Sequence, residues 1–236
     1  MQNEEYDLDR LASFLHIEKK QAEKLVSRGK IPGKRVNGEW RFSSIEIHHW
    51  LENRLGVLDE EELAKMEGAM ARQATSLPED SSLAGLLAPD RIATPLNAKT
   101  RSSVIKSMCE LAAFSGLLWD VDRMADAVRE REDMYTTALD CGAALLHPRR
   151  PMPGILAQPI LALGITPRGI PFGDSGKLTD VFWLICSTDE TTHLKTLARL
   201  GRILTIPEFL EEIREAESSE EIYDIACKFE VGLKTG

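Results

Sequence analysis

Residues 34–42 read Lys34-Arg35-Val36-Asn37-Gly38-Glu39-Trp40-Arg41-Phe42, two short strand-like runs joined by Asn-Gly. Asn-Gly between such runs is the strongest short-range signal of a β-hairpin, because both turn residues tolerate positive φ. The stretch before the hairpin has helical spacing and is basic. The N-terminal fifty residues therefore predict a basic helix followed by a basic hairpin.

Helical periodicity continues on both sides of the hairpin. One short helix is predicted where apolar residues fall at i, i+3, i+4 and i+7: Leu8, Leu11, Ala12 and Leu15. A second helix is predicted from about Glu18 to Arg28, with Gly29 following its last turn. After the hairpin, a third helix is predicted to bury Ile47, Trp50, Leu51 and Leu55.

The basic residues of this region are clustered. Residues 19–41 contain eight Lys and Arg against two Glu, a net charge of +6 in a chain of net charge −9. On the second helix Lys20, Lys24 and Arg28 form one stripe opposite the apolar face, and the hairpin adds Lys34, Arg35 and Arg41. Such a stripe can lie in a major groove with its flanking cations on phosphates, although a solvated face gives the same pattern.

The same residues resemble a known DNA-binding module. The segments Leu8–Ile17, Arg28–Pro32, Val36–Phe42 and Trp50-Leu51 resemble the excisionase-type, MerR-like winged helix-turn-helix. The resemblance covers about residues 6–55. It implies binding of duplex DNA, with the second helix in the major groove and the hairpin on the backbone or minor groove.

The remaining sequence predicts a helical segment and linker over 56–81 and an α/β domain over 82–232. Residues 91–96 form a candidate short strand, and buried strands are predicted over 143–146, 160–165 and 181–186. Helices are predicted over 99–116, 119–132, 191–204, 207–216 and 218–230. The fold class is thus a small, mostly α winged helix-turn-helix followed by an α/β domain whose mixed sheet is flanked by helices.

Bulk properties restrict the class of protein. No run of 18 uncharged apolar residues occurs, and the acidic N-terminus lacks an apolar signal core, so a cytoplasmic protein without membrane contact is expected. The four cysteines lie far apart without a CxxC pair and predict reduced, mostly buried thiols. No cofactor and no metal site are predicted.

Two histidines in the second domain are candidates for a functional site. His147 ends the apolar run Gly142–Leu146, and His193 lies in the first turn of a predicted helix. A helix N-terminus disfavours imidazolium and favours an anion. A strand-end histidine facing it would offer a nucleophilic nitrogen beside a site suited to phosphate. Taken singly, each histidine is more often structural.

Residues 82–230 resemble the fructose/mannitol-type IIA domain of the bacterial sugar phosphotransferase system, including its nitrogen-regulatory branch. The segments that resemble it are Thr192–Leu200, Arg129–Asp133 with Thr136-Thr137, and Cys141–His147. The resemblance implies that His147 accepts a phosphoryl group from HPr or a related phosphocarrier. It further implies that His193 orients the group, that Arg131 contacts its oxygens and that Thr137 shapes the site.

The sequence departs from the family around His147. Cys141 replaces the usual Asn, Leu146 the usual Pro, and Pro148-Arg149-Arg150-Pro151 follows the histidine. The two arginines either strengthen anion binding or simply face solvent. The main hypothesis is a phosphotransferase-linked DNA-binding regulator. The alternatives are a degenerate IIA-like binding module without phosphotransfer, and a DNA-architectural protein whose second half forms a homo-oligomer.

Overall fold

In a computed structural model, residues 5–15, 17–43, 46–47, 50 and 82–234 are described. The chain divides into two compact units, Met1–Thr75 and Ser76–Gly236. The predicted helical segment and linker over 56–81 lies outside the described residues, as do Leu51 and Leu55 of the third predicted helix.

The N-terminal domain combines two helices with a small sheet. Its elements are β1 (Glu5–Tyr6), α1 (Leu8–Leu15), α2 (Lys19–Ser27), β2 (Lys34–Val36) and β3 (Glu39–Ser43). Asn37 and Gly38 have φ angles of 53° and 86°, so the predicted hairpin turn is confirmed. The sequence did not reveal β1, which pairs antiparallel with β3 and gives the strand order β1-β3-β2.

Apolar residues from β1, α1, α2 and β3 meet around Phe42, which is fully buried. The core cluster comprises Tyr6, Leu11, Val26, Ile31, Phe42 and Ile47. Helical backbone at Glu46, Ile47 and Trp50 agrees with the third predicted helix where it is described. The hairpin is therefore anchored to α1 and α2 through its second strand.

The C-terminal domain alternates helices and strands. Its elements are α3 (Leu83–Leu86), a 3-10 helix (Pro89–Arg91), β4 (Ile92–Ala93), α4 (Arg101–Phe114), α5 (Val121–Met134), β5 (Ala143–Leu146), β6 (Ile160–Pro171), β7 (Leu178–Cys186), α6 (Glu190–Leu204), α7 (Pro207–Glu215) and α8 (Ser219–Lys234). The strand predicted over 91–96 is shorter than expected, because its first residue lies in the 3-10 helix and Pro95 has no N–H to donate.

The sheet is mixed, as predicted, with strand order β4-β6-β7-β5. β4 runs parallel to β6 and β5 parallel to β7, while β6 and β7 are antiparallel. Because β5 and β7 are parallel neighbours, their carboxyl ends lie at the same edge of the sheet. The residues that follow both strands are therefore brought together there.

Helices cover both faces of the sheet. The main core cluster packs side chains of α4 and α5 against one face, including Met108, Val128 and Phe182. Trp183 faces the other side and stacks on Phe209 of α7 at a centroid distance of 6.4 Å. Among the described helices, none is long and apolar enough to cross a membrane.

Candidate functional sites

The basic stripe of α2 is open to solvent. Lys20, Lys24 and Arg28 are all exposed, whereas Ala22 and Val26 on the opposite face are buried. Within the described residues none of the three cations forms an ion pair. The neighbouring Lys19 differs, because its Nζ lies 2.8 Å from Asp9 Oδ2. As far as the structure describes the chain, the stripe is thus an exposed row of positive charge without ion-pair partners.

The hairpin cations are each held by a neighbour. Lys34 Nζ lies 3.1 Å from Glu5 Oε1, and Arg41 Nη2 lies 2.8 Å from Glu39 Oε2. The Arg35 guanidinium lies over the Trp40 ring, 5.0 Å from its centroid. The hairpin therefore presents fixed cations, partly neutralised, beside the uncompensated stripe.

The fold brings His147 and His193 together. His147 directly follows β5, and His193 is the fourth residue of α6, the helix after β7. Their ring centroids lie 5.0 Å apart at an interplanar angle of 60°. The side chains of His147 and His193 are 2% and 3% exposed, so both rings are buried at the edge of the sheet where β5 and β7 end.

One hydrogen bond fixes the tautomer of His147. Its Nδ1 lies 2.7 Å from the carbonyl oxygen of Leu145. A carbonyl can only accept, so Nδ1 carries the proton and Nε2 carries the lone pair. In the neutral imidazole, Nε2 is therefore the basic, nucleophilic nitrogen.

His193 is placed by the start of α6. Asp189 caps this helix, with its side chain accepting a hydrogen bond of 2.9 Å from the Thr192 N–H. The first turn directs the positive end of the helix dipole towards the histidine pair. That environment stabilises negative charge beside the two rings.

Thr137 lies on the segment that runs along β5, and Arg131 lies in the last turn of α5. The Leu145 N–H donates to Thr137 O at 3.3 Å, and Ala138 bridges Ala144 in antiparallel register. The Arg131 guanidinium is buried at the end of α5 and donates to the Tyr135 carbonyl at 2.7 Å. Both predicted residues thus lie in segments that border His147.

Glu132 is a part of this region that sequence reasoning missed. It is 2% exposed, and its carboxylate accepts hydrogen bonds from both the N–H and the hydroxyl of Thr137. Burial raises the pKa of this carboxyl, against the effect of Thr137 and of Arg101, whose Nη2 lies 3.6 Å away. Helical spacing from Ala125 and Val128 was the available signal, since it places Glu132 on the buried face of α5.

None of the four cysteines forms a disulfide. All four cysteines are free: Cys109 and Cys186 are buried, Cys227 is half-buried and Cys141 is exposed. The expectation of mostly buried thiols thus holds for two of them. No cluster of three metal-ligating side chains occurs among the described residues.

Comparison with known proteins assigns both domains. Residues 85–228 match the family model "Phosphoenolpyruvate-dependent sugar phosphotransferase system, EIIA 2". The chain belongs to this EIIA family. Residues 5–55 match a helix-turn-helix domain model. Both recognised modules, and the two-domain fold class, are thereby confirmed.

Individual relatives match part of this chain. The fructose-specific EIIABC component of Bacillus subtilis is 27% identical over 143 residues, 59% of this chain but only 22% of that protein. The fructose-specific EIIA component of Haloferax volcanii is 28% identical over 132 residues, 55% of this chain and 84% of that protein. The structure of the nitrogen regulatory protein IIA-Ntr from Neisseria meningitidis superposes with a TM-score of 0.55 at 19% identity, covering 61% of this chain and 98% of that one.

Proposed function

We propose that this protein is a phosphotransferase-linked regulator that binds duplex DNA through residues 6–55 and accepts a phosphoryl group on His147. The donor is an HPr-like phosphocarrier, and residues 82–232 are the receiving domain. The observation that supports the acceptor most strongly is the buried pair of His147 and His193, with Nδ1 of His147 bound to a carbonyl.

The transfer step uses the lone pair on His147 Nε2. It attacks the phosphorus of the donor phosphohistidine, a new N–P bond forms, and the donor's N–P bond breaks with its electron pair returning to the donor imidazole. The proton stays on Nδ1, which continues to donate its hydrogen bond to the Leu145 carbonyl. His193 and the dipole of α6 stabilise the charge on the phosphoryl oxygens, which is the main protein contribution in such a reaction.

Arg131 and Thr137 have different roles in this proposal. Arg131 supplies positive charge beside the phosphoryl group. Thr137 acts as a positioning residue, because its hydroxyl is committed to Glu132 and its carbonyl holds the Leu145 N–H. The segment that leads into His147 is thereby fixed relative to the end of α5.

The output is DNA binding by the N-terminal domain. Lys20 and Lys24 on α2, with Arg28 directly after it, would face the major groove, and Lys34, Arg35 and Arg41 of the hairpin would contact the flanking backbone. The uncompensated charge of the stripe supports this assignment. Phosphorylation adds about −1.5 to −2 charges to the receiving domain. In this proposal, that added charge is the electrostatic change by which phosphorylation regulates DNA binding.

Phosphoryl transfer tests the proposal directly. Incubation with the phosphorylated HPr-like carrier should label the wild-type chain with an acid-labile, alkali-stable phosphate. His147→Ala should take up none, while His193→Ala should be labelled at a much reduced rate. Equal labelling of wild type and His147→Ala would overturn the acceptor assignment. Absence of label in all three, with intact DNA binding, would favour a degenerate EIIA-like module.

A further inference from the structure

We propose that Glu132 selects the nucleophilic nitrogen of His147, because it draws the N–H group of Thr137 away from the Leu145 carbonyl oxygen. That oxygen is thereby left to accept the ring proton of His147. Glu132 is a positioning residue in this scheme, since it acts on the ring through the main chain between them. The inference deepens the proposed function and rests on it only where His147 is the phosphoryl acceptor.

A short segment of chain runs antiparallel along the outer edge of β5. The Leu139 N–H donates to Ala143 O at 2.7 Å, and the Leu145 N–H donates to Thr137 O at 3.3 Å. Between these two bonds the backbones form an isolated antiparallel bridge. Thr137 therefore lies directly opposite Leu145, at a position where paired residues are hydrogen-bonded.

The N–H group of Thr137 departs from this regular pattern. Residues opposite each other at such a position normally exchange two bonds, so its expected acceptor is the Leu145 carbonyl. It donates instead to the two carboxylate oxygens of Glu132, at 3.2 and 3.1 Å. The Thr137 hydroxyl donates to the same carboxylate. Both donors of Thr137 are thus directed to Glu132, near the end of α5.

The Leu145 carbonyl accepts a hydrogen bond from the His147 ring. Nδ1 of His147 lies 2.7 Å from this oxygen, which keeps the proton on Nδ1 and the lone pair on Nε2. A ladder bond from Thr137 would bring a second donor to the same oxygen and weaken its bond to the ring. The neutral imidazole would then carry its proton on Nε2 more often, and in that tautomer Nε2 has no lone pair to attack phosphorus.

Burial and charge keep Glu132 in this role. Its side chain is 2% exposed, and Arg101 Nη2 lies 3.6 Å from its Oε2. An ionised acceptor forms a stronger hydrogen bond than a neutral carbonyl does. The Thr137 N–H therefore favours the carboxylate over the Leu145 oxygen.

Scalar couplings across hydrogen bonds test this arrangement in the full wild-type chain, before any phosphoryl donor is added. The amide nitrogen of Thr137 should couple to the side-chain carboxyl carbon of Glu132 and not to the carbonyl carbon of Leu145. A coupling from Thr137 to Leu145 in wild type would overturn the inference.

Glu132→Met removes the acceptor and keeps a side chain of similar length. The coupling from Thr137 to Leu145 should then appear. Long-range ¹H–¹⁵N spectra of neutral His147 should show the ratio of the Nδ1–H to the Nε2–H tautomer falling by about fivefold, the effect of one backbone hydrogen bond.

Two further variants are the controls. Glu132→Gln is the conservative one, because its amide oxygen can still accept from the Thr137 N–H. Glu130→Met changes an exposed residue of the same helix. Both should keep the tautomer ratio of His147 within about twofold of wild type. An equal ratio in Glu132→Met and Glu130→Met would overturn the inference, as would a shift without the coupling from Thr137 to Leu145. The wild-type couplings test it even if Glu132→Met does not fold.

Phosphoryl transfer separates this inference from the proposed function. With the phosphorylated HPr-like carrier, Glu132→Met should lower kcat by about fivefold at unchanged KM, because the tautomer ratio changes and the contacts with the carrier do not. Unchanged kcat in Glu132→Met would overturn the role of Glu132 while the acceptor assignment stands. The predicted tautomer shift without labelling of wild type would overturn the acceptor and leave the role of Glu132 in place.

Discussion

In the N-terminal domain the candidate DNA-contacting side chains of α2 are exposed, whereas in the C-terminal domain His147, His193, Arg131 and Thr137 are each less than a tenth exposed. The first group works through charge at the surface and depends on one helix and one hairpin. The second depends on four segments that only the sheet topology brings together. Damage to packing should therefore affect the two functions very differently.

The largest expected effect is in the core beneath the histidine pair. Trp183 is fully buried, pairs in register with Leu145 and stacks on Phe209. Trp183→Ala should cost about 3–5 kcal/mol of the free energy of unfolding and abolish phosphoryl acceptance. Urea unfolding with hydrogen exchange over residues 82–234 measures it, and DNA affinity should persist.

Trp119→Ala is the matched control for that experiment. Its side chain is 64% exposed, so its removal should change the free energy of unfolding by less than about 0.5 kcal/mol. If the two tryptophan variants unfold alike, packing around Trp183 does not determine the stability of this domain.

The second-largest expected effect is the removal of a buried carboxylate. Glu230 is 3% exposed and accepts hydrogen bonds from the N–H groups of Leu83 and Ala84, at 2.8 and 3.1 Å, and from Arg199 at 2.9 Å. Glu230→Ala should destabilise the domain by about 3 kcal/mol, because it leaves Arg199 and two helix-end donors behind. Thermal or urea unfolding checks this.

The control for Glu230 is the exposed Glu215→Ala, which should fall within about 0.5 kcal/mol of wild type. A small loss for Glu230→Ala, similar to the loss for Glu215→Ala, would show that the hydrogen bonds to α3 do not hold this segment in place.

Surface charge on α2 should affect binding and not folding. Lys24→Ala and Arg28→Ala should each weaken DNA affinity several-fold and lower the slope of log K against log salt by about 1, with unchanged stability. Fluorescence anisotropy over a salt series measures both. Lys19→Ala should have a smaller effect, because Asp9 already compensates that charge.

Unchanged binding in Lys24→Ala and Arg28→Ala, or an equal loss in Lys19→Ala, would remove the stripe from the DNA interface. Such a result would leave the hairpin cations Lys34, Arg35 and Arg41 as the remaining candidates for DNA contact through surface charge.

The smallest expected effect is a pH dependence. The folded pKa of Glu132 lies above its unfolded value of 4.5, so the folded state binds this proton more tightly. The contribution of Glu132 to the free energy of unfolding should therefore fall as pH rises from about 4.5 through the folded pKa and stay constant above it. Glu132→Gln should remove that fall, and the exposed Glu130→Gln should keep it. Urea unfolding of wild type and both variants from about pH 4 to about pH 8 measures this pH dependence of the free energy of unfolding.

The sequence was sufficient for elements whose signal is local. Asn37-Gly38 marks its own turn, and the spacing of Lys20, Lys24 and Arg28 marks its own helix face. The strands 143–146, 160–165 and 181–186 were located by their apolar runs, although β6 and β7 extend further. Beyond Ile165 polar residues and Gly169 interrupt the run, so only pairing between β6 and β7 reveals the extension.

Features that depend on distant contacts were not predictable from these patterns. The pairing of Glu5–Tyr6 with β3 involves only two residues, too few for a periodic signal. Glu132 has the spacing of the buried face of α5, but it lies in a run of charged residues, and its partners Thr137 and Arg101 come from other segments of the chain. The hydrogen bond from His147 to Leu145, which sets the nucleophilic nitrogen, depends on side-chain orientation that no residue spacing encodes.

The most direct test is to identify which nitrogen carries the phosphoryl group. After transfer from the phosphorylated carrier to the ¹⁵N-histidine-labelled full chain, long-range ¹H–¹⁵N correlation spectra distinguish the two ring positions of each histidine. The account predicts a phosphoryl group on Nε2 of His147, with Nδ1 still protonated and His193 unmodified. A phosphoryl group on Nδ1 of His147, or on His193, would contradict it.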